Sequence, residues 1–138
     1  MFQRIVVAYD GSAQAESAFD HALELAARLS AQLLVVSVVR PPEPATRIEL
    51  EAILDAARQH FEEAFVRLRE RAASRRVALK AETAVGHPAE QIVAFAEQDG
   101  ADLIVMGRRG KTAFARLMLG SVSERVLRYA HCPVLVVR

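Results

Sequence analysis

Leu103-Ile-Val-Met106, then Gly107-Arg-Arg-Gly110, then nine residues, then Gly120-Ser121: this stretch decides how the chain is read. Four apolar residues halted by a glycine describe a short strand buried on both faces. Two glycines at the strand exit, and a third followed by a hydroxyl before a helical pattern, suit a backbone that something must approach closely. From Leu103 to Ser123 there are four cations (Arg108, Arg109, Lys111 and Arg116) and no acid, whereas the whole chain is only +1, leaving the remainder at −3. A plain tight turn would need neither the third glycine nor the hydroxyl after it. A glycine-rich, locally basic strand-to-helix connection is where α/β proteins hold phosphates.

Working outward, strand-like and helix-like segments alternate. Ile5-Val-Val-Ala-Tyr9 is an apolar run, punctuated by Asp10-Gly-Ser12, whose serine can cap a helix bearing Ala15, Ala18, Phe19, Ala22, Leu23, Ala26 and Leu29. Leu33 to Val39 reads as a second buried strand. Arg40-Pro-Pro-Glu-Pro44 can be neither helix nor central strand. Ile53, Leu54, Ala57, Phe61, Ala64, Phe65, Leu68 and Ala72 then mark one long amphipathic helix. Its charged face, Arg58 to Arg76, reads as solvated surface with pairs such as Glu63–Arg67. Val77 to Thr83 alternates as a strand near a sheet edge. A helix from Pro88 is closed by Gly100. After Leu103–Met106, Val122 to Ala130 gives a short helix and Val134 to Val137 the fifth strand. The βαβαβαβαβ pattern predicts one α/β domain, residues 1–138, with a five-stranded parallel sheet and helices on both faces. In such sheets ligands bind beyond the carboxyl ends of the strands. If strands one and four are neighbours, Asp10-Gly-Ser12 and Gly107 onward face one crevice.

The bulk numbers narrow the class. At 138 residues, 52% apolar and 25% charged, the chain has the balance of a globular domain with a real core. A net charge of +1 gives no broad basic face, so neither nucleic acid nor a membrane surface is an expected partner. No apolar run approaches a membrane span of roughly 18 residues. Strand-like sequence begins within a few residues of Met1, so no signal peptide is expected and the expected compartment is the cytoplasm. Cys132 is the single cysteine, expected as a buried inert thiol.

Several specific motifs fail. Gly110-Lys111-Thr112 would belong to a P-loop only with glycine at position 105, which is Val. The first strand-to-helix turn has one glycine, too few for the dinucleotide fingerprint. A phosphoacceptor Asp10 would need neighbouring acids and an aspartate ending the third strand, where Ala81-Glu-Thr-Ala-Val-Gly86 stands. His21, His60, His87 and His131 are scattered, with no pair at metal spacing. No nucleophile–base pair is legible. Ser121-Val-Ser-Glu124 is also a capping box, so the Ser121 hydroxyl has two candidate roles, cap and ligand.

Gly107-x2-Gly110-x9-Gly120-Ser121, with Ala8-Tyr9-Asp10 closing the first strand and Pro133 to Val137 at the end, closely resembles the universal stress protein family in its ATP-binding subgroup. The resemblance covers the whole chain. It implies a Rossmann-like sheet of order 3-2-1-4-5, similar to adenine nucleotide α-hydrolases, and a homodimer joined through Val134–Val137. It also implies ATP, accompanied by Mg2+, lying across strands one and four. Ala8, Tyr9, Asp10 and the Val38 backbone would take the adenine and ribose side, Met106 would line the approach, and Gly107, Arg109, Gly110, Gly120, Ser121, Val122 and Ser123 would surround the phosphates. Phosphate contacts would order the Lys111 to Leu119 loop, as in nucleotide switches. The expected role is a nucleotide-sensing stress-response module. The alternatives are a weak ATPase or phosphoryl-transfer enzyme in the same pocket, and a nucleotide-free dimerisation module.

Overall fold

A computed structural model of the chain describes residues 1–108 and 119–138. In chain order the elements are β1 (Arg4–Ala8), α1 (Ala13–Leu29), β2 (Gln32–Val39), α2 (Arg47–Ser74), β3 (Leu79–Val85), α3 (Pro88–Gln98), β4 (Leu103–Gly107), α4 (Ser121–Tyr129) and β5 (Val134–Val137). The sheet runs β3-β2-β1-β4-β5 with every pair parallel. This is the expected α/β architecture, and β1 and β4 are neighbours, paired from Ile5↔Leu103 to Val7↔Val105.

The strands are apolar on both sides because both sides are covered. Ile5, Val7, Leu33, Val35, Leu103 and Val105 pack with α1 and α2, while Val6, Leu34, Val36, Ile104 and Met106 pack with α3 and α4. β3 begins at Leu79, two residues later than its alternation predicts: the chain turns at Arg75–Arg76, with Arg76 at φ +58°, and Val77 is spent closing the α2 core.

Helix α2 begins with a capping box that the sequence reading passed over: the Glu49 N–H donates to Thr46 Oγ1, and the Thr46 N–H donates to Glu49 Oε1. Farther along, the arginine face is not simply solvated. Arg67, Arg71 and Arg75 reach across to Glu16, Asp20 and Glu24 of α1, with Arg67–Glu16 at 2.8 Å and Arg75–Glu24 at 2.9 Å. The expected Glu63–Arg67 pair gives way to this ladder, because equal i,i+4 spacing on two helices running side by side brings three opposite charges into register. Paired with Arg28 and Arg75, the Glu24 carboxyl lies below its ordinary range.

Candidate functional site

At the carboxyl end of the sheet, a crevice of about 500 Å³ opens between the ends of β1, β2 and β4. Ala8, Val36, Val38 and Met106 line it from the strands, Pro88 and Ile92 from α3, and Asp10, Ser12 and Ala15 from the start of α1. Gly107, Gly120, Ser121, Val122 and Ser123 close the remaining side. Ten of the residues singled out from sequence thus border one cavity; Arg109 and Gly110 lie outside the described residues, as does most of the Lys111 to Leu119 loop. Ser12 borders it too, as the Asp10-Gly-Ser12 turn led one to expect, whereas Val36, Ala15, Pro88 and Ile92 were not anticipated as lining. Val36 had a legible signal, since it shares a strand face with Val38; the α3 residues reach the crevice only through packing across the sheet.

The three segments around the crevice are held differently. At the end of β1, the Ser12 N–H donates to Asp10 Oδ1 at 2.9 Å and the Ala15 N–H donates to Ser12 Oγ at 3.0 Å, so α1 starts with a side-chain cap. The other Asp10 carboxylate oxygen is left on an exposed side chain. The β1–β2 ladder ends where the Tyr9 N–H meets the Val36 carbonyl at 2.9 Å, and the buried Ser37 hydroxyl takes the Tyr9 carbonyl at 2.6 Å. Val38 therefore sits two residues past Val36, the last β2 residue in register with β1.

Tyr9 borders the crevice, but its ring turns into the α1–α2 core. Its hydroxyl donates to Glu16 and accepts from Arg67 at 3.1 Å. Burial first, and then the Glu16 carboxylate, push the phenol up to about 12. The group stays protonated at neutral pH and is no proton donor for chemistry in the crevice.

At the opposite wall the turn after β4 is clamped by main-chain bonds. The Arg108 N–H donates to the Val137 carbonyl at 2.7 Å and the Gly120 N–H to the Arg108 carbonyl at 2.9 Å. The Ser123 hydroxyl donates toward the Gly107 and Arg108 carbonyls at 2.9 and 3.0 Å. A Cβ on Gly107 would meet Gln14 Cβ at 3.0 Å and the Gln14 main chain at 3.2 Å, so a side chain here would crowd the approach of α1 whatever else comes near. Ser123 is thus committed to holding the turn.

Ser121 is not. Gly120 is the N-cap of α4, with φ −67° and ψ 154°, and no side chain caps the helix. The capping box expected of Ser121 and Glu124 does not form: a capping side chain must belong to the last extended residue, and Ser121 is already helical. Its exposed hydroxyl and the uncapped first turn of a nine-residue helix face the crevice together.

At the α3 rim, an Arg40 guanidinium nitrogen lies 3.1 Å from His87 Nδ1, and His87 Nε2 lies 3.2 Å from Glu43, so the histidine joins the β2–α2 loop to the start of α3. Cys132 is half-buried, its thiol pushed up by burial and then by Asp102. Among the described residues no three His, Cys, Asp or Glu side chains cluster as metal ligands, and no helix is long and apolar enough to cross a membrane.

The chain has relatives among known proteins: the model of the universal stress protein family matches residues 1–138. The chain belongs to the universal stress protein family. It is 38% identical over 142 residues to universal stress protein MJ0531 of Methanocaldococcus jannaschii, covering all of this chain and 83% of that relative. Among solved structures it is similar to the universal stress protein UspA from Lactobacillus plantarum, at 32% identity and a TM-score of 0.88, over 99% of this chain and 98% of the other. A universal stress protein solved in complex with cAMP is 28% identical, with a TM-score of 0.76, over 99% of this chain and 97% of its own. The Rossmann-like architecture expected from sequence is the one these neighbours share.

Proposed function

We propose that this universal stress protein binds ATP in the crevice between β1 and β4 and acts as a cytoplasmic nucleotide sensor in the stress response. The observation that carries the reading is the uncapped first turn of α4 opening on the same cavity as Asp10. Free N–H groups at a helix start favour phosphate through both hydrogen bonding and the helix dipole. The triphosphate would meet the N–H groups of Ser121, Val122 and Ser123, the Ser121 hydroxyl and the Gly107 turn, joined by Arg109 and Gly110. Adenosine would lie toward Ala8, Asp10 and Val38, over Met106, between the apolar walls of Val36 and Ile92. The free carboxylate oxygen of Asp10 is an acceptor suited to a ribose hydroxyl.

With no cluster of acidic ligands among the described residues, a Mg2+ ion would be carried on the phosphate oxygens rather than in a protein cage. Among the described residues around the crevice, Tyr9 is tied to Glu16, and Ser12 and Ser123 are engaged with main chain, so none of these three is free to position a nucleophile. A binding role is therefore favoured over turnover. The edge strand β5 supports a homodimer through Val134–Val137: among the described residues its outer side has no strand partner, and Leu135 is 37% exposed.

The test is a thermal scan with ATP, ADP, AMP, cAMP and GTP, together with identification of any small molecule released on denaturation. A ligand at a hundred times its Kd stabilises by about 2.7 kcal/mol. The expected order places ATP first, and no shift with any of the five overturns the reading.

A further inference from the structure

A second, more open cavity, of about 550 Å³, lies beside the crevice and shares Asp10 and Val38 with it. It sits beneath the first turns of α2, where the helix stands off the sheet: no residue before Ala57 is buried, and Ile53 and Leu54, expected in the core, are only half-buried. Val39, Ile53 and Phe61 supply apolar walls. His60 meets Phe61 edge-on, with ring centroids 4.8 Å apart at 82°. Such a pair presents a ring face and a ring edge at right angles, a geometry that suits a planar aromatic or acyl group. Asp10 lines both cavities, with its Oδ1 spent on the Ser12 N–H and its second oxygen free for a ribose hydroxyl.

We propose that this second cavity is a subsite for an apolar or aromatic group carried on the ribose 2′ or 3′ oxygen of the bound adenine nucleotide, the other hydroxyl remaining on Asp10. The inference rests on the reading that adenosine lies at Asp10 and Val38. The ligand class is then an adenine nucleotide bearing an acyl or aryl ester on its ribose, rather than a bare nucleotide alone. Continuity carries the argument: the substituent leaves the sugar beside the one residue that both cavities share on the α1 side. The second cavity contributes no cation and no main-chain phosphate cradle, so a second phosphate is not what it would take.

The experiment compares ATP with its 2′/3′-O-(N-methylanthraniloyl) ester, whose fluorescence rises and shifts to the blue in apolar surroundings. Calorimetry should find the ester bound at least about tenfold more tightly than ATP, the gain expected from burying one aromatic group. Ala56→Trp, at an exposed position lining the second cavity alone, should abolish that gain and the blue shift while the ATP affinity stays unchanged. His60→Ala, also outside the first cavity, should reduce the gain and keeps the test open if the tryptophan disturbs α2. Equal affinity of the ester and ATP for the unaltered protein overturns the proposal, as does a preference that survives both substitutions. Failure of both ligands to bind overturns the nucleotide reading itself, an outcome distinct from ATP binding with no gain from the ester.

Discussion

Two helices begin at the crevice, and they begin in opposite ways. Helix α1 is closed on itself: Asp10 and Ser12 satisfy the N–H groups of Ser12 and Ala15 with side-chain oxygens of the same turn. Helix α4 is left open: Gly120 offers no side chain, Ser121 is already helical, and Ser123 turns backward to hold Gly107 and Arg108. Unsatisfied helix-start donors cost stability unless water or a ligand takes them. A capped start stabilises the fold, whereas an open one, rigidly held, keeps its donors for an incoming anion.

The difference can be broken from either side. The largest effect is expected at Gly107, where β4 ends against the first turn of α1. Gly107→Ala places a methyl group within 3.0–3.2 Å of Gln14 and should cost about 1–3 kcal/mol in denaturant unfolding, with or without nucleotide. A substitution that spared stability but cancelled ATP binding would show that the glycine serves the ligand rather than the helix approach.

Next comes the open start. Ser121→Asp adds a carboxylate to the first turn of α4, which the helix dipole tolerates but a phosphate does not. ATP affinity should fall at least about tenfold, or about 1.4 kcal/mol, while the melting temperature without ligand holds or rises slightly. Unchanged affinity would remove α4 from the phosphate site.

At the closed start, Ser12→Ala should lower stability by about 1 kcal/mol, the usual worth of a side-chain cap, and change ATP affinity far less than Ser121→Asp does. The reverse ranking in parallel unfolding and binding measurements would dissolve the contrast between the two helices.

Confined to alkaline pH, the last effect is a pH response next to the closed start. Tyr9 is pushed up from 10.0 to about 12 by burial and by Glu16, so folding favours its protonated form. That contribution to stability is complete below about pH 10 and disappears as pH rises through about 12. The chain has two tyrosines, so in a Tyr129→Phe protein a phenolate absorbance titration follows Tyr9 alone. A midpoint close to 10 would mean the ring is not buried against Glu16.

Much of the site was legible because its signals are local. Glycine spacing after an apolar strand, a cation-rich loop and an acid at the end of β1 mark positions without any knowledge of packing. What misled was also local. Ser121-Val-Ser-Glu124 satisfies a capping pattern, yet the helix begins one residue too early for it to work. Glu63 and Arg67 have the right spacing to pair, but Glu16 on the neighbouring helix competes for the same guanidinium. Neither outcome can be read within a single element.

The sequence by itself determined the alternation of strands and helices, the doubly covered sheet and the glycine turn after β4, since hydrophobic periodicity and backbone sterics act over a few residues. Tertiary structure alone decided that β1 lies beside β4, that Tyr9 turns away from the crevice into the α1–α2 ladder, and that α2 stands off to leave a second cavity beyond Asp10. Those facts depend on which surfaces meet across the sheet. Contacts between residues distant in the chain are set by the competition of every packed face for its partners, and no local pattern encodes the result of that competition.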